Sequence, residues 1–472
     1  MNKSERRIAP WFPLIGVVCF GVLGFAAARS GFFLDDWLHL VLARALPDPL
    51  DPFLRDRMLG AFFRPLGVAW WRLLARLGDP GAPARHVAAA LLHAGSAALL
   101  GLAAAAWRND RRVGWAAGLL WLTSPVAWSA VAWLACGYDL LAVFFSALAL
   151  WRGLRYLAEG KRLDLAVAIA ATLLAAWSKE SAYVLPFVAL ALALSAARSD
   201  RRRTIFLGCG MSDAVVLALI HRRVVLGFWL GGYGEVALPD QVPPPVWPNF
   251  FGAMHVQVPG WSIRFAALAA LCVALFFLDR EKRKTLLGGL AAALLAALPV
   301  LLLACSPSML PVLPARYFVY GAFILAFPLA VALAGARLPK HLGTLLLVGF
   351  MLAGTASGVW GMRAFAARAQ NEARDVALET RRAESAVASG KTTLIESTRV
   401  VGIDAAVKAT NPDLLGRIVV LNCGSPTHVV VTSAEAARLA PYWSPVLPAN
   451  PGRGFGLVWG EVYLPKENCG GL

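Results

Sequence analysis

Charge is scarce in this chain: 15% of its 472 residues are Asp, Glu, Lys or Arg, while 58% are hydrophobic and the mean hydropathy is +0.62. A soluble domain of this length carries far more charge, so the composition excludes one and implies a polytopic membrane protein. Cysteine is sparse as well, and its seven copies include no Cys-x-x-Cys and no Cys/His spacing of a zinc site. That removes zinc modules and thiol redox motifs. Five cysteines lie in or beside apolar segments as small buried hydrophobes, whereas Cys423 and Cys469 fall in a polar tail where an oxidising compartment would permit one disulfide. No internal repeat of fixed period is present.

What charge there is has one sign in excess. The net charge of +17 would suit nucleic acid, but the basic residues sit in short clusters between apolar segments. That is the pattern of membrane orientation, not of a groove tracking phosphates. Arginine far outnumbers lysine and alanine and leucine dominate, a composition that points to a GC-rich bacterial genome and hence a bacterial inner membrane. The first apolar segment follows Lys3, Arg6 and Arg7 and resembles a signal peptide, yet Arg29-Ser30-Gly31-Phe32 is a poor cleavage site, so an anchored helix is expected.

A helical span needs about 20 apolar residues. The chain supplies about eleven candidates, near 10–29, 86–107, 113–123, 135–151, 164–178, 182–197, 204–221, 263–278, 285–304, 316–336 and 342–360, with a bend expected at Ser124-Pro125. The clusters Arg6-Arg7, Arg108 to Arg112, Arg152 to Arg162, Arg198 to Arg203, Arg280 to Lys284 and Arg337 to Lys340 fall at every second loop, which places those loops and the N-terminus in the cytoplasm. The loops holding Asp35-Asp36, Asp139, Lys179-Glu180, Arg222 and Arg316 then share the opposite face.

The expected division is a transmembrane domain over 1–360 and an extracytoplasmic α/β domain over 361–472. Within the first outer loop, 30–85, the run from Pro65 to Leu77 has Pro at a first helical position and Leu66, Trp70, Leu73, Leu74 and Leu77 at helical spacing, with Arg72 and Arg76 elsewhere on the wheel. This predicts a helix lying in the membrane interface. Residues 222–262, rich in Gly, Pro and aromatics, form a second long outer segment. In the tail, a polar helix carrying Gln370 to Glu379 precedes short β-branched runs at 399–403, 417–421 and 428–432.

Asp35-Asp36 follows the first span directly, where two adjacent carboxylates are costly and usually functional. One of them could remove a proton from an acceptor hydroxyl, its pKa raised by its neighbour, while the other binds a divalent cation such as Mg or Mn or orients the acceptor. The plainer alternative is a cap on the helix that starts at Trp37. His86 and His93 share a helical face and read as packing or interfacial histidines as readily as pocket residues. Lys179 and Glu180 point about 100° apart on a helix, so each needs its own partner, a phosphate or backbone carbonyl for instance, unless both snorkel to water. Arg222-Arg223 and Arg316-Tyr317 place positive charge on the outer side, against the orientation rule, and arginine's planar fork suits phosphate oxygens. Asp139 either caps the fourth span, after Tyr138, or belongs to the same site.

In order, Asp35-Asp36, Phe63-Arg64-Pro65-Leu66, Arg85-His86 to Leu92-His93, Ser124-Pro125 to Trp128 with Tyr138-Asp139, and Ser178-Lys179-Glu180 resemble the motifs of the GT-C glycosyltransferases. The likeness covers roughly the first 200 residues, recurs weakly at Arg222 to Gly227 and Pro314 to Tyr317, and is nearest to the tetratricopeptide-bearing O-mannosyltransferase-like membrane proteins and their bacterial relatives. The repeats themselves are missing here, so acceptor identity does not carry over. The resemblance implies inverting transfer of a sugar from a polyprenyl-phosphate donor to a periplasmic acceptor, whether protein, lipid or glycan. It implies Asp35 as base with Asp36 as the alternate, and Arg64, Lys179, Arg222 and Arg316 on the departing phosphate. His86, His93, Tyr138, Asp139, Glu180 and Tyr317 would shape the pocket. The rival readings are a transporter of lipid or solute, which would show paired inverted halves, and a silent relative that only binds the lipid-linked sugar.

Overall fold

The computed structural model describes residues 11–33, 36–45, 50–55, 62–78, 81–197, 200–227, 229, 280–304, 318–335, 340–389, 393–396, 403–411, 418–422, 427–432 and 461–463. Apolar runs longer than a helical turn can bury can only be helices in lipid, where every backbone group must be paired internally. They are α1 (Trp11–Ala28), α5 (Ala82–Arg108), α6 (Arg111–Leu122), α7 (Pro125–Ala132), α8 (Gly137–Glu159), α9 (Arg162–Ser178), α10 (Leu185–Leu194), α11 (Arg201–Leu226), α12 (Arg280–Ala304), α13 (Val319–Gly335) and α14 (Lys340–Ser389). Between α1 and α5 lie three shorter helices, α2 (Asp36–Ala45), α3 (Asp51–Leu54) and α4 (Pro65–Arg76).

Each expected span coincides with one of these helices except 263–278, which lies outside the described residues. Five described helices are long and apolar enough to cross a membrane, six if α6 and α7 form one span, and three shorter apolar helices accompany them. The protein is therefore a multi-pass membrane protein. Leu14, Val18, Val22 and Phe25 of α1 and Ile205, Phe206, Val216 and Ile220 of α11 point outward, an apolar surface that only lipid satisfies.

The helix ends follow the local chemistry. Asp110 and Asp200 cap α6 and α11, accepting from the Arg112 and Arg203 backbone N–H groups at 2.8 Å each. Gly160 and Gly227 close α8 and α11 in the left-handed region, at φ 74° and 87°. Between α6 and α7 the axis turns by 45° at Ser124-Pro125, the expected position, because Pro125 contributes no N–H to the helix. The Trp128 indole bonds the Leu122 carbonyl at 2.7 Å across that bend.

Small residues let the spans approach closely. A Cβ on Gly101 would meet the Gly114 carbonyl oxygen at 2.9 Å, and one on Gly114 would meet Gly101's at 2.6 Å, so α5 and α6 touch backbone to backbone. α5 also packs on α8, α8 on α9 and α9 on α11, while α12 and α13 pack together against α10 and α6. Trp107, Trp121, Trp128, Tyr320, Phe323 and Phe327 fill the interior, with Ser146 and Tyr320 hydroxyls hydrogen bonded at 2.8 Å.

α4 corrects the helical wheel drawn from sequence. Leu73 and Leu77 are exposed, whereas Gly67, Val68, Trp71, Arg72 and Leu74 are buried against the protein. A helix at the interface has three surroundings, lipid, headgroups and protein; here Leu73 and Leu77 face away from the protein, while a mixed face carrying Leu74 and Arg72 packs on it.

α14 does not stop at 360, where the composition turns polar, but continues to Ser389 as one helix of 50 residues, about 75 Å at 1.5 Å per residue. That is far more than the ~30 Å of a hydrocarbon core. Beyond it come β1 (Thr393–Glu396), α15 (Ile403–Thr410), β2 (Ile418–Asn422), β3 (Thr427–Thr432) and β4 (Glu461–Tyr463), in a sheet of order β1-β3-β2-β4 with β2/β4 parallel and the other pairs antiparallel. The expected runs at 417–421 and 428–432 overlap β2 and β3, but Ile403 opens a helix, and 399–402, Cys423 and Cys469 lie outside the described residues. α15 packs on both α14 and α2.

Gly67 seats α4 on Tyr138 of α8: a Cβ there would stand 1.7 Å from the ring. Gly67→Ala should therefore destabilise the protein by about 1–3 kcal/mol through overpacking, seen as a lower melting temperature in detergent, while the same change at Gly24, where a Cβ meets nothing within 4 Å, should have little effect.

Candidate functional site

One end of the helix bundle gathers the polar residues that the spans cannot tolerate. It is formed by the loop before α2, the start of α4, the one-turn helix Leu134–Cys136 leading into α8, the turn Glu180–Val184 after α9, and the last turn of α11. The opposite end carries the basic loops, where Arg152 pairs with Asp164 at 2.9 Å and Lys161 and Arg155 pair with Glu159 at 2.7 and 3.1 Å.

Lys179 and Glu180, adjacent in sequence, do take separate partners, but both are protein side chains. The Lys179 ammonium lies 2.5 Å from Asp139 Oδ1, with the two side chains 12% and 7% exposed. Glu180 is bracketed by two arginines: Arg64 donates from Nε at 2.9 Å and from a terminal nitrogen at 2.8 Å to Oε2, and Arg222 donates to Oε1 at 3.3 Å. Arg222 is fully buried. Three cations and two carboxylates thus meet in a region of low dielectric, where charge acts strongly on its neighbours.

Arg64 also lies over the Phe62 ring at 4.3 Å and the Tyr138 ring at 5.7 Å. Tyr138 in turn meets the His39 ring at 5.1 Å. Beside this cluster, Phe63 and Trp177 pack edge-on against His221 at 4.8 and 5.6 Å, and His221 bonds the Phe53 carbonyl at 2.8 Å. Sequence reasoning brought Arg64, Tyr138, Asp139, Lys179, Glu180 and Arg222 to one face, and the structure brings these six together.

Asp36 has another part. It is fully buried, its Oδ2 accepts from the Phe33 N–H at 2.9 Å and its Oδ1 from the Ala135 N–H at 2.5 Å. The carboxylate closes the loop before α2 and staples it to the turn at 134–136. This is close to the capping alternative, since α2 begins at Asp36 and the carboxylate reaches back to the N–H three residues before. Asp35 lies outside the described residues, as do Arg316 and Tyr317. No group of three His, Cys, Asp or Glu side chains suited to a metal occurs among the described residues.

His86 and His93 sit inside the bundle on α5, both fully buried. His86 Nδ1 bonds the Val131 carbonyl at 2.9 Å and its ring faces the Ser30 and Gly31 backbone, so it braces the loop from behind. His93 bonds the Leu122 carbonyl at 3.2 Å between the rings of Trp121 and Trp128, each 5.4 Å away, deep in the core. Two buried arginines went unassigned from sequence, Arg72 and Arg85. Arg85, over the Trp71 ring at 5.0 Å, lines a crevice with Trp70, Leu74, Leu92 and Leu140. The signal was its place near the start of a mostly apolar α5, one residue before His86.

The arrangement of helices matches a solved structure. The chain aligns with the crystal structure of ArnT from Cupriavidus metallidurans bound to undecaprenyl phosphate, with a TM-score of 0.51 and 16% identity over 86% of this chain and 75% of that one. The chain has the GT-C fold. Two structures of the Archaeoglobus fulgidus oligosaccharyltransferase, one in the apo form and one with an inhibitory peptide and a dolichol-phosphate, align at 13% and 12% identity with TM-scores of 0.44 and 0.45. They are covered over 56% and 58% of their length by 77% and 79% of this chain, so the chain spans little more than half of each. No family model and no curated protein matches the chain. Within this GT-C fold the charged cluster occupies the end of the bundle that carries the first long loop.

The ion pair between Lys179 and Asp139 supports the site structurally. Lys179→Gln should cost about 3–5 kcal/mol by leaving a buried carboxylate unpaired, and adding Asp139→Asn should restore most of the loss; unfolding of both variants in detergent measures it.

Proposed function

We propose that the protein is an integral membrane glycosyltransferase that takes a sugar from a polyprenyl-phosphate donor and passes it to an acceptor hydroxyl at the extracytoplasmic face, in the bacterial inner membrane. The observation that carries this reading is the convergence of Arg64, Lys179 and Arg222 at the end of a GT-C fold that carries the first long loop. The crystal structure of ArnT, which shares the fold, holds undecaprenyl phosphate.

The chemistry follows from the groups. Asp35 takes the proton of the acceptor hydroxyl as its oxygen attacks the anomeric carbon. The bond from that carbon to the phosphate oxygen breaks on the opposite side, the configuration inverts, and the electron pair leaves on the lipid phosphate. Arg64 and Arg222, oriented by Glu180, and Lys179, oriented by Asp139, face the charge that develops there. Charge fixed in place before the reaction contributes most to such a step. Arg316 is a further proposed phosphate contact and Tyr317 a pocket residue. The apolar spans receive the polyprenyl tail, and α4, with Leu73 and Leu77 exposed, borders its entrance. Asp36 shapes the loop that presents Asp35 and is not the base. The residues from 361 onward form the proposed extracytoplasmic domain.

With labelled polyprenyl-phosphate sugar and reconstituted protein, Asp35→Asn should reduce transfer by on the order of 10²–10⁴-fold and leave melting unchanged. Full activity of that variant would sink the assignment of the base, and movement of label across the bilayer without turnover would point to a transporter instead. In intact cells a membrane-impermeant maleimide should label Ser389→Cys and spare Arg111→Cys, both at exposed positions. The reverse labelling would invert the proposed topology.

A further inference from the structure

The end of the bundle opposite the charged cluster carries a corner of cations that the proposed reaction does not use. It lies where α8 ends and where α9 and α11, which pack on each other, begin. Arg203 builds this corner. Its guanidinium donates to the Leu157 carbonyl at 3.0 Å and rests on Gly160, where a Cβ would stand 2.8 Å from it. Gly160, at φ 74°, closes α8 and by lacking a side chain makes room for the arginine. The start of α11 is thereby fastened to the turn before α9, which brings Arg201 and Arg202 to the same corner as Lys161 and Arg162, all four exposed. The carboxylates of this end are already engaged: Asp164 with Arg152 at 2.9 Å, Glu159 with Arg155 and Lys161 at 3.1 and 2.7 Å, and Asp200 as the cap of α11. Arg162, Arg201 and Arg202 pair with no carboxylate among the described residues.

From this geometry we infer that the corner is a docking surface for an anionic phospholipid, with Lys161, Arg162, Arg201 and Arg202 on the headgroup phosphates. Charge alone would suit any polyanion, but the surroundings of these cations are apolar. Leu163, Ile205 and Phe206, within about one turn of them, are 72%, 55% and 50% exposed, and Arg202 lies over the Phe206 ring at 5.6 Å. A soluble polyanion would meet the guanidinium groups and leave these side chains uncovered. A lipid uses both, its phosphate on the cations and its chains along α9 and α11. The depth also fits. α11 has 26 residues, about 39 Å of helix at 1.5 Å per residue, against ~30 Å of hydrocarbon core, so its first turn reaches the level of the phosphates. Arginine's fork suits phosphate oxygens, and basic groups between helices at a membrane surface are a known form of anionic lipid recognition. Two pairs of cations, one at the start of each helix, suit a headgroup with two phosphates better than one.

The test uses the full-length protein in detergent micelles, with cardiolipin, a phospholipid of two phosphates, as the probe and lipid-bound peaks in native mass spectrometry as the readout. The wild-type protein should retain cardiolipin in preference to phosphatidylcholine, and an excess of inorganic phosphate should not displace it. Replacing Arg162→Gln and Arg202→Gln together should weaken cardiolipin binding by about 30-fold, whereas Arg162→Lys with Arg202→Lys, which keeps the charge, should retain most of it. Removing the same charge from the start of α6, by Arg111→Gln with Arg112→Gln, should change binding little. Leu163→Ser with Phe206→Ser should also weaken it, because the chains lose their seat. Equal losses in the two glutamine pairs would overturn the inference, since the effect would then be diffuse charge and not a site. Displacement by phosphate, or full binding in the Leu163 and Phe206 pair, would mark a soluble-anion surface instead and overturn it too. Equal retention of cardiolipin and phosphatidylcholine by the wild-type protein would do so without any variant, whether or not the substituted proteins fold.

Discussion

A charged side chain that enters a helical bundle in lipid must meet its opposite before it meets hydrocarbon. The end of the bundle that carries the first long loop is organised by that requirement. Lys179 reaches Asp139 across α9 and α8, and Glu180 reaches Arg64 on α4 and Arg222 on α11. Four elements far apart in sequence are drawn to one point by ion pairs, each of which would be costly to leave half made. The same rule at the other end joins Arg152 to Asp164 between α8 and α9.

The acidic loop is settled by different means. Backbone donors at Phe33 and Ala135, a histidine braced against the Val131 carbonyl, and Trp37 and Phe33 held from α14 surround it. Most of these are hydrogen bonds with direction, so they fix orientation as well as place.

Much of the fold was legible in the sequence because hydrophobic length is a strong and local signal: the spans, the bend at Ser124-Pro125 and the helix at Pro65 emerge where expected. The grouping of Arg64, Asp139, Lys179, Glu180 and Arg222 on one face followed from alternating basic loops. Their pairing did not, because a partner 116 positions away, as Glu180 is from Arg64, leaves no local trace. The orientation of α4 was obscured because leucine serves equally against lipid and against protein. Asp36 was legible only as half of an acidic pair, and its separation from Asp35 depends on Ala135, a residue with no chemistry of its own. The continuity of α14 past 360 was hidden by the change from apolar to polar composition, which alters what surrounds a helix without ending it.

The seat of α4 on Tyr138 limits how this part of the protein can move. With ring carbons occupying the space of a side chain at Gly67, the helix can neither slide along its axis nor roll without driving its own backbone into the ring. Motion at the proposed lipid entrance is therefore confined to pivoting about the ends of the helix. One such end is Gly78, at φ 101° and with open space around it. The other is the short stretch at Phe62 to Arg64, so any swing of α4 would pull directly on the guanidinium that grips Glu180. Movement of α4 and the grip of the charged cluster are, in mechanical terms, two ends of one lever.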